Sequence, residues 1–358
     1  MLLPIIDFDE DNNIIISKDI RQDRFAAFAN REVLNKWCGS NFCFQSDNGI
    51  GTENFYNEIP WCEVQGISSG KYYWGEEVSK KVQSKGYFSG CAPFTYANFL
   101  YEDKTAVKKY KTVFYPKSDY PYKTRLKETD EKIEEAVELM KSFDAENTIY
   151  IAFPFDWMFA YIHWMPQEIR EKTYVLGYNG FDVSWIERLK KVLLRSECIY
   201  VPHIFSTNVA YATLLDIPVK FYSHDLYEIG KIPDDEPNKE FQELTSSIYT
   251  VVPSERDEKW NGFMKYLKEC YETDCADKYW WTSKFLSLEK LKSPQHLYED
   301  LRILHNNFIK NVNKYKNVEV LPFETSHELF DIAKEKCDRI IELSKGTSQK
   351  ALNYLKEI

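Results

Sequence analysis

The stretch Pro202-His-Ile-Phe-Ser-Thr-Asn-Val-Ala-Tyr-Ala212 holds the residue types best suited to chemistry. An apolar run ends at Pro202, and Ser206, Thr207 and Asn208 fall where a helix would begin. Hydroxyls beside the unpaired N–H groups of a helix N-terminus form an anion site that suits a phosphate. Ser206 also has the simpler role of N-cap, the commonest use of serine at that place. His203 can contact phosphate or stabilise a leaving group. Other polar residues follow other apolar runs in the same way: Lys117 and Ser118, Asp156, and the turn Gly177-Tyr178-Asn179-Gly180. A cation and a hydroxyl can meet phosphate, and a carboxylate can orient a ribose hydroxyl or accept a proton. The turn can offer Tyr178 and Asn179 to a base. His224 and Asp225 occupy a similar place with less to mark them.

Each of these groups needs a strand end to hold it, and the hydropathy pattern supplies the strands. Short β-rich runs occur at 112–115, 148–153, 173–176, 198–201 and 219–222. Between them lie helical patterns at 129–143, 184–194 and 207–215; in the second, Ile186, Leu189, Val192 and Leu193 share one side. Strands alternating with helices imply parallel βαβ units in a doubly wound sheet, an α/β fold whose ligands bind beyond the carboxyl ends of the strands. Helices are also expected over 21–37, 74–82, 297–311 and 326–343, and a short strand over 317–321. Residues 231–240, with two prolines and four acidic side chains, read as a linker or surface loop.

This arrangement resembles the donor domain of GT-B-type nucleotide-sugar glycosyltransferases of bacterial surface-polysaccharide type, nearest to sialyltransferases and capsule-type transferases. The residues that carry the resemblance are the Ser206-Thr207 pair after a strand, the Tyr211-Ala212 helix and the following Pro218-Val219 strand. Upstream, Trp74-Gly-Glu-Glu77 and Gly90-Cys-Ala-Pro-Phe-Thr-Tyr96 resemble the stretch that precedes this domain. The resemblance implies an acceptor-side domain at 1–105, a Rossmann-like donor domain at 106–230 and a mostly helical region at 231–358 packing across both. It implies that Ser206 and Thr207 hold donor phosphate, and it offers Glu76 as acceptor base beside His203. The chain departs from the family in carrying Pro202-His203 where those sialyltransferases have His-Pro, and it has no acidic pair before glycine. The implied reaction moves a sugar from a nucleotide-sugar donor to a carbohydrate or other hydroxyl acceptor, with no metal and no cofactor. Two further classes stay open: a nucleotide- or glycan-binding protein without turnover, and a viral-type glycosyltransferase acting on DNA bases.

Composition narrows these classes. At ~100–200 residues per domain, the 358 residues suit two domains, or one large domain with additions. With 46 basic against 56 acidic residues the net charge is −10, which disfavours a protein that coats nucleic acid. Nine Trp, 25 Tyr and 23 Phe make 16 % of the chain aromatic. Most of these are expected in the core, and Tyr115, Phe155, Trp157, Tyr178 and Phe205, at strand ends, are the candidate ligand contacts. The eight cysteines form no C-x-x-C pair and read as reduced thiols. Asp7 and Asp9 fall too early for a secretory signal, and no apolar run approaches the ~18 residues of a membrane span, so a cytoplasmic location is expected. Asp7, Asp9 and Asp11 have the alternation of a Mg²⁺ site, yet Ile14-Ile-Ile16 behind them favours two strands joined by an acidic turn. Phosphate-loop, G-x-G-x-x-G, G-x-S-x-G and H-E-x-x-H motifs are all missing from the sequence.

Overall fold

The computed structural model describes residues 3–23, 29–46, 71–72, 90–115, 138, 140–143, 146–152, 166–178, 182–201, 206–222, 265–266, 268–273, 275–311, 320 and 328–345. The strands are β1 (Ile6–Phe8), β2 (Ile14–Ile16), β3 (Gln45–Ser46), β4 (Lys71–Tyr72), β5 (Tyr110–Phe114), β6 (Thr148–Ala152), β7 (Thr173–Val175), β8 (Ser196–Val201) and β9 (Val219–Phe221). The helices are α1 (Asn30–Trp37), α2 (Pro93–Leu100), α3 (Gln167–Arg170), α4 (Trp185–Leu194), α5 (Thr207–Leu214), α6 (Asp277–Leu286), α7 (Pro294–Asn311) and α8 (Glu328–Ser344).

The expected parallel sheet is present, in the order β7-β6-β5-β8-β9 with every pairing parallel. In chain order this is 3-2-1-4-5, a Rossmann-like half. Side chains alternate across it as strand geometry requires. Tyr110, Phe114, Ile149, Ile151, Ile199, Val201 and Val219 enter one apolar cluster with Ile186, Leu189, Val192 and Leu193 of α4 and Val209, Ala210 and Leu214 of α5. Val113, Tyr115, Tyr150, Ala152, Val175 and Tyr222 enter a second cluster with Met140 and Ile169. Met140, between β5 and β6, and Ile169, between β6 and β7, therefore pack on one face, and α4 and α5 cover the other. The first cluster also takes in Val33, Leu34 and Trp37 of α1, Phe94 of α2, and Trp281, Leu301 and Cys337 of the C-terminal helices. It thus draws on all three expected segments.

Local chemistry explains the elements. In α4, Asp182 Oδ1 accepts from the Ser184 N–H at 2.9 Å, and Glu187 in the first turn and Lys191 in the last complement the dipole. Pro93 opens α2, where a missing N–H costs nothing. The acidic turn is a hairpin: β1 and β2 pair antiparallel, and Asp9 Oδ1 accepts from the Asn13 N–H at 2.8 Å. Of the helix expected over 21–37, Asn30–Trp37 is helical and residues 21–23 are not. Ala29 before it has φ 69°, a left-handed conformation that an L-residue cannot propagate as helix, and Gln22 bridges Asp182 as extended chain. Helices expected at 297–311 and 326–343 occur as α7 and α8, whereas 74–82, 231–240 and most of 129–143 and 317–321 lie outside the described residues. Among the described residues no helix is long and apolar enough to cross a membrane, and the seven described cysteines form no disulfide.

The join between α7 and the N-terminal segment depends on a neutral histidine. His305 is 3 % exposed, and its Nδ1 accepts the Cys43 N–H at 3.0 Å, which leaves the proton on Nε2. Burial holds this imidazole below its ordinary range. The unfolded chain takes up a proton as pH falls through about 6.5 while the folded chain resists it. Stability from neutral His305 is therefore complete above that pH and is lost progressively below it. In urea unfolding between pH 7 and pH 5, the parent chain should lose stability more steeply than His305→Asn, whose amide oxygen can still accept from Cys43. Equal slopes would remove His305 as the cause.

Candidate functional site

The neighbouring strands β5 and β8 are followed in sequence by groups on opposite faces of the sheet: Met140 packs on one face and α5 on the other. A crevice opens beyond the carboxyl ends of two such strands, and open α/β sheets bind ligands there. Helix α5 begins at this edge.

Its first residues carry the site. Ser206 is extended (φ −62°, ψ 128°), and its hydroxyl accepts the Asn208 N–H at 3.4 Å, so the N-cap role is real but the bond is long. The Ser206 carbonyl accepts the Val209 N–H at 3.0 Å. Among the described residues the Thr207 N–H has no acceptor. Asn208 is only 4 % exposed, and its side-chain amide has no hydrogen-bond partner among the described residues. Helical side chains lean toward the N-terminus of their helix, which directs this amide toward the strand edge. Two half-buried hydroxyl residues, a buried amide and a free N–H thus meet at one end of α5. Such a group favours an anion because the donors and the helix dipole act together. The body of the helix is fixed by packing: the Tyr211 ring stacks on Phe94 at 4.0 Å, and Val209, Ala210 and Ala212 are fully buried.

Ser206, Thr207 and Asn208 are therefore brought together. Tyr178 follows β7, two strands from β5 across the sheet, and packs partly buried against the second cluster. Glu76, Lys117, Ser118, Asp156, Asn179 and His203 lie outside the described residues, as do Phe155, Trp157, Phe205, His224 and Asp225. Tyr115 corrects an expectation. It is 1 % exposed, and its hydroxyl bonds Thr173 Oγ1 at 3.0 Å, so it is a core residue of the second face and no ligand contact.

Two residues that shape this edge had no sequence signal. Tyr222, just past β9, donates its hydroxyl to the Phe114 carbonyl at 2.7 Å, passing β8 to close off the end of β5. Asp182 is fully buried, with Arg188 Nη1 2.9 Å from its Oδ2. That contact is an ion pair by distance without hydrogen-bond alignment, since Oδ2 has no hydrogen-bond partner. Arg188 also donates to the Leu176 carbonyl at 2.9 Å and the Asp19 carbonyl at 2.5 Å. The pair fixes the start of the loop that follows β7.

No protein-family model, no curated protein and no solved structure matches the chain.

Gly177 sits against Asp182, where an added Cβ would meet the Asp182 Cβ at 2.7 Å and Oδ2 at 2.9 Å. Asp182 is held by the Ser184 N–H and Arg188 and cannot yield. Gly177→Ala should therefore cost about 1–3 kcal/mol in urea unfolding, the range for overpacking a tight site. A loss below a few tenths would show that the loop moves freely.

Proposed function

We propose that the chain is a glycosyltransferase that moves a sugar from a nucleotide-sugar donor to an acceptor hydroxyl, within a GT-B-like arrangement. The observation that supports this reading is the start of α5. Its unpaired Thr207 N–H, the buried Asn208 amide and two hydroxyls stand at the edge where a 3-2-1-4-5 parallel sheet presents its crevice. A nucleotide diphosphate or monophosphate has the charge and size to fill such an end. Its leaving oxygens gain negative charge as the glycosidic bond breaks, and fixed N–H and O–H donors stabilise that charge without reorganising. The helix end thereby does what a divalent cation does in other transferases. Among residues of this chain, His203 would protonate or screen the departing phosphate, and Glu76 would take the acceptor's proton as the new bond forms. Lys117 and Ser118 would meet the phosphate from the β5 side, with Asp156, Tyr178 and Asn179 toward the nucleoside.

Binding tests this reading directly. Thermal-shift screening against UDP-, GDP-, CMP- and dTDP-sugars should show one donor class raising the midpoint, because a ligand of the native state stabilises it by mass action. Calorimetry of the Ser206→Ala/Thr207→Ala double variant with that donor should then show affinity reduced tenfold or more. Unchanged affinity would remove the α5 end as the phosphate site. Turnover is read separately, as free nucleotide released when acceptor sugars are supplied.

A further inference from the structure

A second cluster of chemically distinctive side chains lies at the corner between a helical segment covering 265–266 and 268–272 and helix α6. Cys270, Cys275 and Asp277 bring one ligand atom each to this corner, two sulfurs and a carboxylate oxygen, all within 4.8 Å of one another. Their convergence is built by the backbone: the Cys275 N–H bonds the Cys270 carbonyl at 2.9 Å, folding the turn so that both thiols face the first residue of α6. Cys270 is 3 % and Asp277 8 % exposed, with Cys275 at the solvent side. Among the described residues no cation pairs with the Asp277 carboxylate. The Tyr266 hydroxyl donates to Asp277 Oδ2.

We infer that Cys270, Cys275 and Asp277 form a binding site for a thiophilic divalent cation, of which Zn²⁺ is the best fit. A buried carboxylate without a counter-charge is costly, and a dication bound between it and two thiolates offsets that cost. Two soft sulfurs select zinc over calcium or magnesium, which take oxygen ligands. In a tetrahedral zinc site with Zn–S near 2.3 Å and Zn–O near 2.0–2.2 Å, ligand atoms stand roughly 3.5–3.8 Å apart. The corner needs to contract by only about 1 Å to reach that spacing. Tyr266 supplies the outer hydrogen bond that orients a ligating carboxylate. Binding is an exchange without redox change: the cation displaces one proton from each thiol to solvent and joins the ionised carboxylate, leaving one position for water. The ion would act as a staple. Tyr271, beside Cys270, packs edge-on against Phe221 of β9 at 6.4 Å and bonds Thr282 of α6 at 3.1 Å, so the clamped corner holds α6 to the edge of the sheet.

The test uses the full chain, reduced and stripped with chelator, then titrated with Co²⁺ and Zn²⁺. One equivalent of Co²⁺ should produce the sulfur-to-cobalt charge-transfer band with the strong visible bands of tetrahedral cobalt. Zn²⁺ should abolish the signal and raise the melting midpoint. Cys270→Ser and Cys275→Ser should each lose most of the charge-transfer intensity, Asp277→Asn should bind at least tenfold more weakly, and Cys198→Ser should behave as the parent. Circular dichroism confirms that each variant is folded. No charge-transfer band in the parent, a band retained in the Cys270→Ser/Cys275→Ser double variant, or no midpoint shift with Zn²⁺ would each overturn the site.

Discussion

Helix α4 and its C-cap carry three cations into the interior. Arg188, Lys190 and Arg195 are 2 %, 3 % and 2 % exposed. A buried cation is tolerable only when it is paired or hydrogen-bonded, and here each is held by a different part of the chain. Arg188 binds Asp182 and the carbonyls of Leu176 and Asp19. Lys190 donates to the carbonyls of Asn98 and Tyr101, both at 2.6 Å, where α2 ends and its carbonyls lack helical partners. Burial draws its ammonium down to about 8, while the carbonyls favour the charged form. Arg195 reaches Asp103 at 2.6 Å and lies 4.5 Å over the Phe8 ring. The hairpin joins through Lys191 and Asp7 at 3.0 Å. No one of these segments can leave without stranding a charge.

That constraint bears on function because α4 is the connection from β7 to β8, the step that carries the chain back across the sheet. Only after this crossing do β5 and β8 become neighbours with connections on opposite faces. The place of α5 at the carboxyl edge of the sheet follows from it. The Tyr222 bond to the Phe114 carbonyl secures the same edge from the second face. Helix α5 is gripped on several sides, by Phe94 stacked on Tyr211 and by buried contacts of Val209 and Leu214. Its first turn can therefore present donors with little movement, as electrostatic stabilisation requires.

Much of this was legible in the residues. Alternating apolar runs announced a parallel sheet, and Ser206 announced a helix start at its edge. Strand order was not legible, because periodicity tells which faces are buried and not which strands are neighbours. The pattern of α4 placed Ile186, Leu189, Val192 and Leu193 on one side, but it did not show that Arg188 and Lys190 are buried too, held by Asp182 and by carbonyls of distant segments. Tyr115 has the right position in sequence for a strand-end contact, but the odd side of β5 faces Thr173 and the second core. Of the helix expected over 21–37, the described residues show α1 after a left-handed Ala29 (φ 69°), with Gln22 extended, and sequence does not encode that angle for alanine. Cys270, Cys275 and Asp277 match no spacing rule, and only the turn that returns Cys275 to the Cys270 carbonyl brings them together.

Nucleotide phosphate is proposed to rest on the first turn of α5, at the sheet edge where β5 and β8 end. Amide hydrogen exchange of the whole chain, with and without the nucleotide-sugar that stabilises it, measures this at the residues concerned. Bound donor should slow exchange over 206–210, with accompanying protection at 113–115 where β5 ends. Binding that leaves 206–210 unchanged and protects a different part of the molecule would contradict it.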